Sequence, residues 1–321
     1  SATGDVTDEA DNCTTTLDAT ITDDTTAGTC EGAWIIERTW SLVDDCGNAA
    51  PDQIQTITVL DTIKPTFTRP VDITIYTTAS CTYDASVSAT GDVTDEDDNC
   101  TTILNATYSD DTTAGSCEGT WIIERTWSLE DDCGNKAADQ IQTITVEDTT
   151  KPTFTRPVDI TVYTDANCQY NASIAVTGDV TDEADNCTAI LEATYSDDTT
   201  AGSCEGSWII ERTWSLEDDC GNKAADQIQT ITVEDSTKPT FTRPVDITIY
   251  TDATCTYDAG VSATGDVTDE ADNCTTTLDA TFTDDTTAGS CEGSWVIERT
   301  WSLVDDCGNA APDQIQTITV E

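Results

Sequence analysis

The sequence predicts an all-β protein made of tandem β-sandwich modules, on three observations. The chain repeats itself at a fixed step of 87 residues. Every repeat is filled with short runs of alternating apolar and polar residues. Clusters of Asp, Gly, Asn and Thr, which are turn chemistry, separate those runs. No segment carries a 3.6-residue period.

The repeat comes before any single element. The string TGDVTDEADNC starts at Thr3, returns as TGDVTDEDDNC at Thr90, and returns unchanged at Thr177 and Thr264. The cysteines fall in four registers: Cys13, Cys100, Cys187 and Cys274; Cys30, Cys117, Cys204 and Cys291; Cys46, Cys133, Cys220 and Cys307; and Cys81, Cys168 and Cys255. The natural seam is a Pro-bearing linker, DTIKPTFTRP at Asp61, DTTKPTFTRP at Asp148 and DSTKPTFTRP at Asp235. Modules are therefore expected at 61–147, 148–234 and 235–321, with 1–60 the C-terminal part of a truncated module. With no Met and a start inside a module, the expectation is an internal piece of a longer precursor. A strand lent by a neighbouring chain is the rarer reading.

The module 148–234 gives the elements in order. PVDITVYTD alternates, with Val158, Ile160 and Val162 inward against Asp159, Thr161 and Tyr163. ASIAVTGDVT is a second β-rich run, broken by Gly178. TAILEATYS is a third, with Ala189, Leu191, Ala193 and Tyr195 on one face. SWIIERTWSL is the longest, with Trp208, Ile210, Trp214 and Leu216 on one face, and DQIQTITV is the last. Short strands around core Trp, in about 87 residues, make an immunoglobulin-like β-sandwich. The expected architecture is a set of such modules end to end in an elongated rod. Arg212 shares the Trp face and is read as packing: stacked on indole and paired with a nearby acid.

Composition excludes several functions. Against 63 acids stand 12 bases, a formal net charge of −51, which disfavours nucleic acid and anionic membrane as partners. The apolar runs are too short to span a bilayer. The absence of His removes the commonest general base. Four equivalent copies with no cleft-forming insertion argue against an enzyme, although paired carboxylates suggest glycoside hydrolysis in isolation. Asn105-Ala-Thr and Asn171-Ala-Ser match the N-glycosylation pattern, which is common by chance.

Fifteen Cys at fixed spacings form a disulfide framework, hence an oxidising, extracellular setting. With strands alternating up and down, Cys168 and Cys204 reach the upper end of the module, and Cys187 and Cys220 the lower. The expected bridges are Cys168–Cys204 and Cys187–Cys220, with Cys81–Cys117, Cys100–Cys133, Cys255–Cys291, Cys274–Cys307 and Cys13–Cys46 by repetition. Cys30 is left without a partner. Loops of about 35 residues would each contribute ~3 kcal/mol. Wide spacings without a CxxC argue against zinc.

The same logic puts DVTDEADNC at the lower end of its module, beside EDDCGN, where the linker enters. Carboxylates packed so closely repel unless a cation sits among them. Ca²⁺ suits them best, because it takes six to eight oxygen ligands, and Mg²⁺ resists dehydration. The candidate ligands are Asp92, Asp95, Glu96 and Asp98; Asp179, Asp182, Glu183 and Asp185; and Asp266, Asp269, Glu270 and Asp272. Candidate junction ligands are Glu147, Asp148, Glu234 and Asp235. The alternative is a solvated acidic turn, since the spacing matches no EF-hand loop.

RTWSLxDxCGN, followed by QTITVxD, TKPTFTRP and TGDVTDEADNC, resembles the HYR-type (hyalin repeat) immunoglobulin-like modules, and more narrowly the tandem modules of large secreted bacterial surface adhesins. The resemblance covers the whole chain and implies a stalk, spacer or adhesive filament at the cell surface. The cysteine placement and the acid load depart from typical hyalin repeats. The leading reading is a structural repeat region of an extracellular stalk or filament, stapled by disulfides and stiffened by calcium at module junctions, each module adding roughly 40 Å. Its partners would be neighbouring modules of the same longer chain and other copies in a filament. The alternative is a multivalent array of weak sites for glycan or mineral, with Trp as contacts.

Overall fold

A computed structural model describes residues 4–321, as two compact units, Ser1–Thr150 and Lys151–Glu321. Thr3, where the first acidic string starts, lies outside the described residues. Each unit is built from the same 87-residue pattern.

In the first unit, Thr20–Ala27, Trp34–Ser41 and Gln53–Val59 form a three-stranded antiparallel sheet. A four-stranded sheet follows, in the order Ile73–Tyr76, Gln140–Glu147, Trp121–Ser128, Thr107–Ala114. Its edge strand Ile73–Tyr76 runs parallel to Gln140–Glu147, and the other pairs are antiparallel. A two-stranded sheet, Thr66–Thr68 with Thr94–Asp97, covers one end. The second unit repeats this plan twice, as Ile160–Tyr163, Gln227–Glu234, Trp208–Ser215, Thr194–Ala201 and then as Ile247–Ile249, Gln314–Val320, Trp295–Ser302, Thr281–Ala288. The architecture is all-β, in tandem immunoglobulin-like sandwich modules.

Period-two alternation decides which side is buried. Along Trp208–Ser215, Ile210, Arg212 and Trp214 are buried while Ile209 and Glu211 are exposed. Phe154, Trp214 and Leu216 form one core cluster, and Val162, Ile210, Ile231 and Val233 another. Between them lies the Arg212 guanidinium. It forks onto Asp197 at 2.7 and 2.8 Å, donates to Ala172 O and Thr177 Oγ1, and stands 4.2 Å from the Tyr195 ring centroid. A guanidinium can be buried here because its donors find acceptors. The reading of Arg212 as packing therefore holds.

Three sequence expectations differ. DDTTA, one of the Asp- and Thr-rich clusters whose composition reads as turn, is strand: Asp197 lies opposite Arg212, and that ion pair holds an acid within a sheet. SIAVT, taken as strand, makes a single helical turn, Ile174–Thr177, closed by Gly178 at φ 91°. Its Thr177 supplies the side-chain Oγ1 to Arg212 and the backbone O to the buried Gln229. Val158, assigned inward, is 79% exposed, because the strand begins only at Ile160.

The disulfides also differ. The bridges are Cys30–Cys133, Cys168–Cys274 and Cys204–Cys307, each joining one repeat to the next. Cys81, Cys117, Cys187 and Cys220 are disulfide-bonded as well. This overturns Cys168–Cys204, Cys274–Cys307, Cys100–Cys133, Cys13–Cys46 and Cys255–Cys291, and it gives Cys30 a partner. Cys13, Cys46, Cys100, Cys255 and Cys291 are free thiols. The ends were assigned correctly, but the partners were not. Upper-end Cys168 and Cys204 meet the lower-end Cys274 and Cys307 of the following repeat, whose loops press directly against them.

Candidate cation site at the repeat junctions

Three loops build the site. In the second unit they are the linker residue Asp235, just after the strand Gln227–Glu234; the DNCTT loop with Asp272; and the DDCGN loop with Asp305. In the first unit the same positions are Asp61, Asp98 and Asp131. Within each trio, carboxylate oxygens lie within 4.8 Å of one another.

Each loop is folded by its own aspartate. Asp272 Oδ2 accepts the Cys274 and Thr275 amides, both at 2.9 Å. Asp305 accepts Asn309 N at 2.7 Å and Asn309 Nδ2 at 2.8 Å. Asp235 Oδ1 accepts the Thr237 amide at 3.0 Å and the Thr164 hydroxyl at 3.1 Å. These are Asx-type turns, which short acidic side chains favour. Asn309 Nδ2 also donates to Asp235 O, which ties the loop to the linker.

Asp305 spends both its oxygens on Asn309, whereas Asp235 and Asp272 each spend one oxygen on the fold and keep the other. Asp235 Oδ2, Asp272 Oδ1 and Asn273 Oδ1 are buried with no hydrogen-bond partner, as are Asp61 Oδ2 and Asp98 Oδ1 in the first unit. Asp235 is only 6% exposed. A buried carboxylate oxygen without a partner is costly, and three carboxylates this close repel. Hard oxygen donors, several charges and no nitrogen or sulfur fit Ca²⁺. Asp98 is held below the usual carboxylate range by the amides of Thr101 and Cys100, so it is ionised and ready to bind a cation.

Most of the acids singled out in the sequence lie elsewhere. Asp92, Asp179 and Asp266 each accept the amide of the next residue. Asp95, Asp182 and Asp269 adopt left-handed backbone, φ 57°, 56° and 57°, where the small sheet shifts register. Glu96, Glu183 and Glu270 accept the amides of Ala106, Ala193 and Ala280, so each ties down a loop. Glu147 and Glu234 are exposed, and their backbone carbonyls accept from Thr77 and Thr164. Asp98, Asp235 and Asp272 do enter the clusters. Asp185 folds its loop as Asp272 does and likewise leaves Oδ1 unpartnered. Asp148 accepts the Thr77 hydroxyl and the Thr150 amide.

The sequence reading did not single out Asp61, Asp131 and Asp305, the remaining members of these clusters. For Asp131 and Asp305 the signal was an Asp four residues before an Asn in DDCGN, a turn pair whose Asn also reaches the linker.

No family model matches the chain, and no curated protein sequence matches it. Among solved structures, the Drosophila N-cadherin EC1-4 crystal structure is similar at TM-score 0.25 and 12% identity, over 99% of this chain and 96% of that one. The protocadherin GammaB4 extracellular domain gives TM-score 0.30 and 11% identity, over 98% of this chain and 62% of that one. Protocadherin Gamma B7 extracellular cadherin domains 1-4 give 0.28 and 9%, over 95% and 92%.

Proposed function

We propose that this chain is the structural repeat region of an extracellular stalk or filament of a cell-surface adhesin, with modules at 61–147, 148–234 and 235–321 and 1–60 as part of another. The HYR-type resemblance and a rod-like string of modules belong to this proposal. The observation that carries it is where the covalent links go: Cys30–Cys133, Cys168–Cys274 and Cys204–Cys307 all fasten one repeat to the next. Fastening of that kind serves a load-bearing array, and disulfides persist in oxidising, extracellular surroundings. Ca²⁺ bound by Asp61, Asp98 and Asp131, and by Asp235, Asp272 and Asp305, would neutralise the junction carboxylates and stiffen each joint. Trp214 is buried and Trp208 half-buried against Tyr170, which withdraws the tryptophans that a glycan- or mineral-binding array would use in this module, although Tyr163 and Tyr195 stay exposed.

Thermal melts and small-angle scattering of the oxidised chain, with calcium and with chelator, test the reading. A higher melting temperature and a longer, stiffer particle with calcium support it. Identical behaviour in both conditions refutes calcium stiffening, and a compact particle in both refutes the stalk.

A further inference from the structure

Two segments close on the Asp235–Asp272–Asp305 cluster, and a disulfide bolts each of them to a loop that carries one of its aspartates. The first is the turn at 164–168. Thr164 Oγ1 donates to Asp235 Oδ1 at 3.1 Å, while Asn273 Nδ2 donates to Thr164 Oγ1 at 3.3 Å and to Asp165 O at 2.9 Å. Cys168, in the same turn, is bonded to Cys274, two residues after Asp272.

The second is the hairpin tip Cys204–Glu205–Gly206. The Glu205 amide donates to Asp306, next to Asp305, and the Glu205 carboxylate accepts the Thr276 amide from the Asp272 loop. A Cβ on Gly206 would stand 3.3 Å from Asp235 Cβ and 2.4 Å from Cys274 Sγ. Cys204 is bonded to Cys307, two residues after Asp305. The tip therefore rests on all three segments that supply the cluster.

The spare oxygens lie under this cover. Asp235 Oδ2 and Asp272 Oδ1 are buried without a hydrogen-bond partner, and Asp235 and Asp305 as whole residues are buried too. An open groove of about 850 Å³ runs beside the hairpin, lined by Cys204, Glu234, Asp235, Ser236, Cys307 and Asn309. It brings solvent and the exposed Glu234 to the rim of the cluster, yet Asp235 Oδ2 is shut off from it. The hairpin has to swing aside before an ion held by these oxygens can leave. That is a local opening, and its frequency depends on what fastens the tip. Without the bridge, the fastening is the two hydrogen bonds of Glu205, each weak in net terms.

We propose that the hairpin tip Cys204–Glu205–Gly206 is a lid that occludes a divalent cation at this cluster, and that the Cys204–Cys307 disulfide is the latch that sets how fast the cation exchanges. The inference rests on the reading of the cluster as a Ca²⁺ site and adds a kinetic barrier to it. The first unit has the same lid: Cys30 is bonded to Cys133, the Glu31 amide donates to Asp132, and a Cβ on Gly32 would stand 3.8 Å from Asp61 Cβ. A latched joint keeps its ion, and with it its stiffness, through brief falls in surrounding calcium.

Isotope exchange on the whole oxidised chain tests this. The protein is loaded with radioactive Ca²⁺ and then mixed with excess unlabelled Ca²⁺, so that occupancy stays constant while label leaves. Asp235→Asn should bind one ion fewer and lose one slow component, which assigns that component to this cluster. Cys204→Ser/Cys307→Ser should bind as many ions as wild type and release that component about tenfold faster or more. Should the staple variant fail to fold, Glu205→Ala, which keeps the bridges, decides: faster release of the same component supports the lid, and a wild-type rate overturns it. If Asp235→Asn binds as many ions as wild type, the cation reading fails and the lid with it. If it binds one fewer but the folded staple variant exchanges at the wild-type rate, the lid alone is overturned. A folded staple variant that binds fewer ions also overturns it, because the bridge then shapes the site instead of latching it.

Discussion

Glu205 is held by both loops of the following repeat. Its amide donates to Asp306 Oδ2 at 2.7 Å, while its carboxylate accepts the Thr276 amide at 2.6 Å. The neighbouring Cys204 is bonded to Cys307. Glu31 repeats the arrangement with Asp132 and Thr102, beside Cys30–Cys133. A hairpin tip of three residues, Cys-Glu-Gly, is thus the plug of each such joint. Gly206, at φ 82°, makes this fit possible, since a Cβ there would collide with Cys274 Sγ.

This joint should loosen in acid. Asp306 is held below the usual carboxylate range by the Glu205 amide and the Thr275 hydroxyl, and Asp132 by the Thr101 hydroxyl and the Glu31 amide. A folded-state value below the unfolded one gives stability that is fully present above the unfolded value, near 3.9, and lost as pH falls through the folded one. Melting temperature should therefore be nearly flat from pH 7 to 5 and fall below about pH 4. In Asp306→Asn that fall should be shallower; an unchanged profile would remove Asp306 from the account.

Removing one staple should cost less than its long loop suggests. Closing about 100 residues is worth ~4.7 kcal/mol in the chain-entropy model. Cys168–Cys274, however, already confines the region that Cys204–Cys307 closes. Cys204→Ser/Cys307→Ser should therefore lose about 2–3 kcal/mol in urea unfolding of the oxidised chain. Reductant should erase the difference from wild type. A loss that survives reduction would point to packing at the joint instead.

The sequence made the fold legible where chemistry and period agree. Ile210, Trp214 and Leu216 alternate, and they are buried. It misled at DDTTA, because the partner that makes Asp197 acceptable in a strand is Arg212, 15 residues away. It misled on disulfides because end-to-end contact between repeats is not encoded in any single repeat. The acidic cluster was half legible: the DEADNC segment reaches it, but only through its last aspartate, as Asp98 and Asp272 show, which leaves a buried oxygen over. The others fold turns, and local backbone hydrogen bonding, invisible in composition, decides which.

The buried guanidinium should be a main source of repeat stability. Arg212→Ala leaves Asp197 without its partner and strands Ala172 O and Thr177 Oγ1. Breaking such a pair typically costs about 3–5 kcal/mol. Arg212→Lys should recover little, because an ammonium cannot fork onto Asp197 while reaching both other acceptors. Chemical denaturation of the two variants checks this. Near-wild-type stability in Arg212→Lys would mean that charge alone, not the planar fork, matters.

Calcium should reverse the sign of one substitution. Without a cation, Asp235→Asn removes one of three mutually repelling carboxylates and keeps an Oδ1 acceptor for Thr237 and Thr164. In chelator it should be as stable as wild type or slightly more so. With calcium the wild-type trio gains binding energy, about 2.7 kcal/mol at a hundredfold excess over Kd. The variant forfeits much of that gain at this joint, so it should melt below wild type. Calcium bound per chain, measured by equilibrium dialysis, should fall by one site. Asp266→Asn, an aspartate that only caps Val267, should behave as wild type in both conditions. If calcium shifts all three chains equally, the cation is not at the Asp235–Asp272–Asp305 cluster, and the leftover oxygens there are satisfied by water.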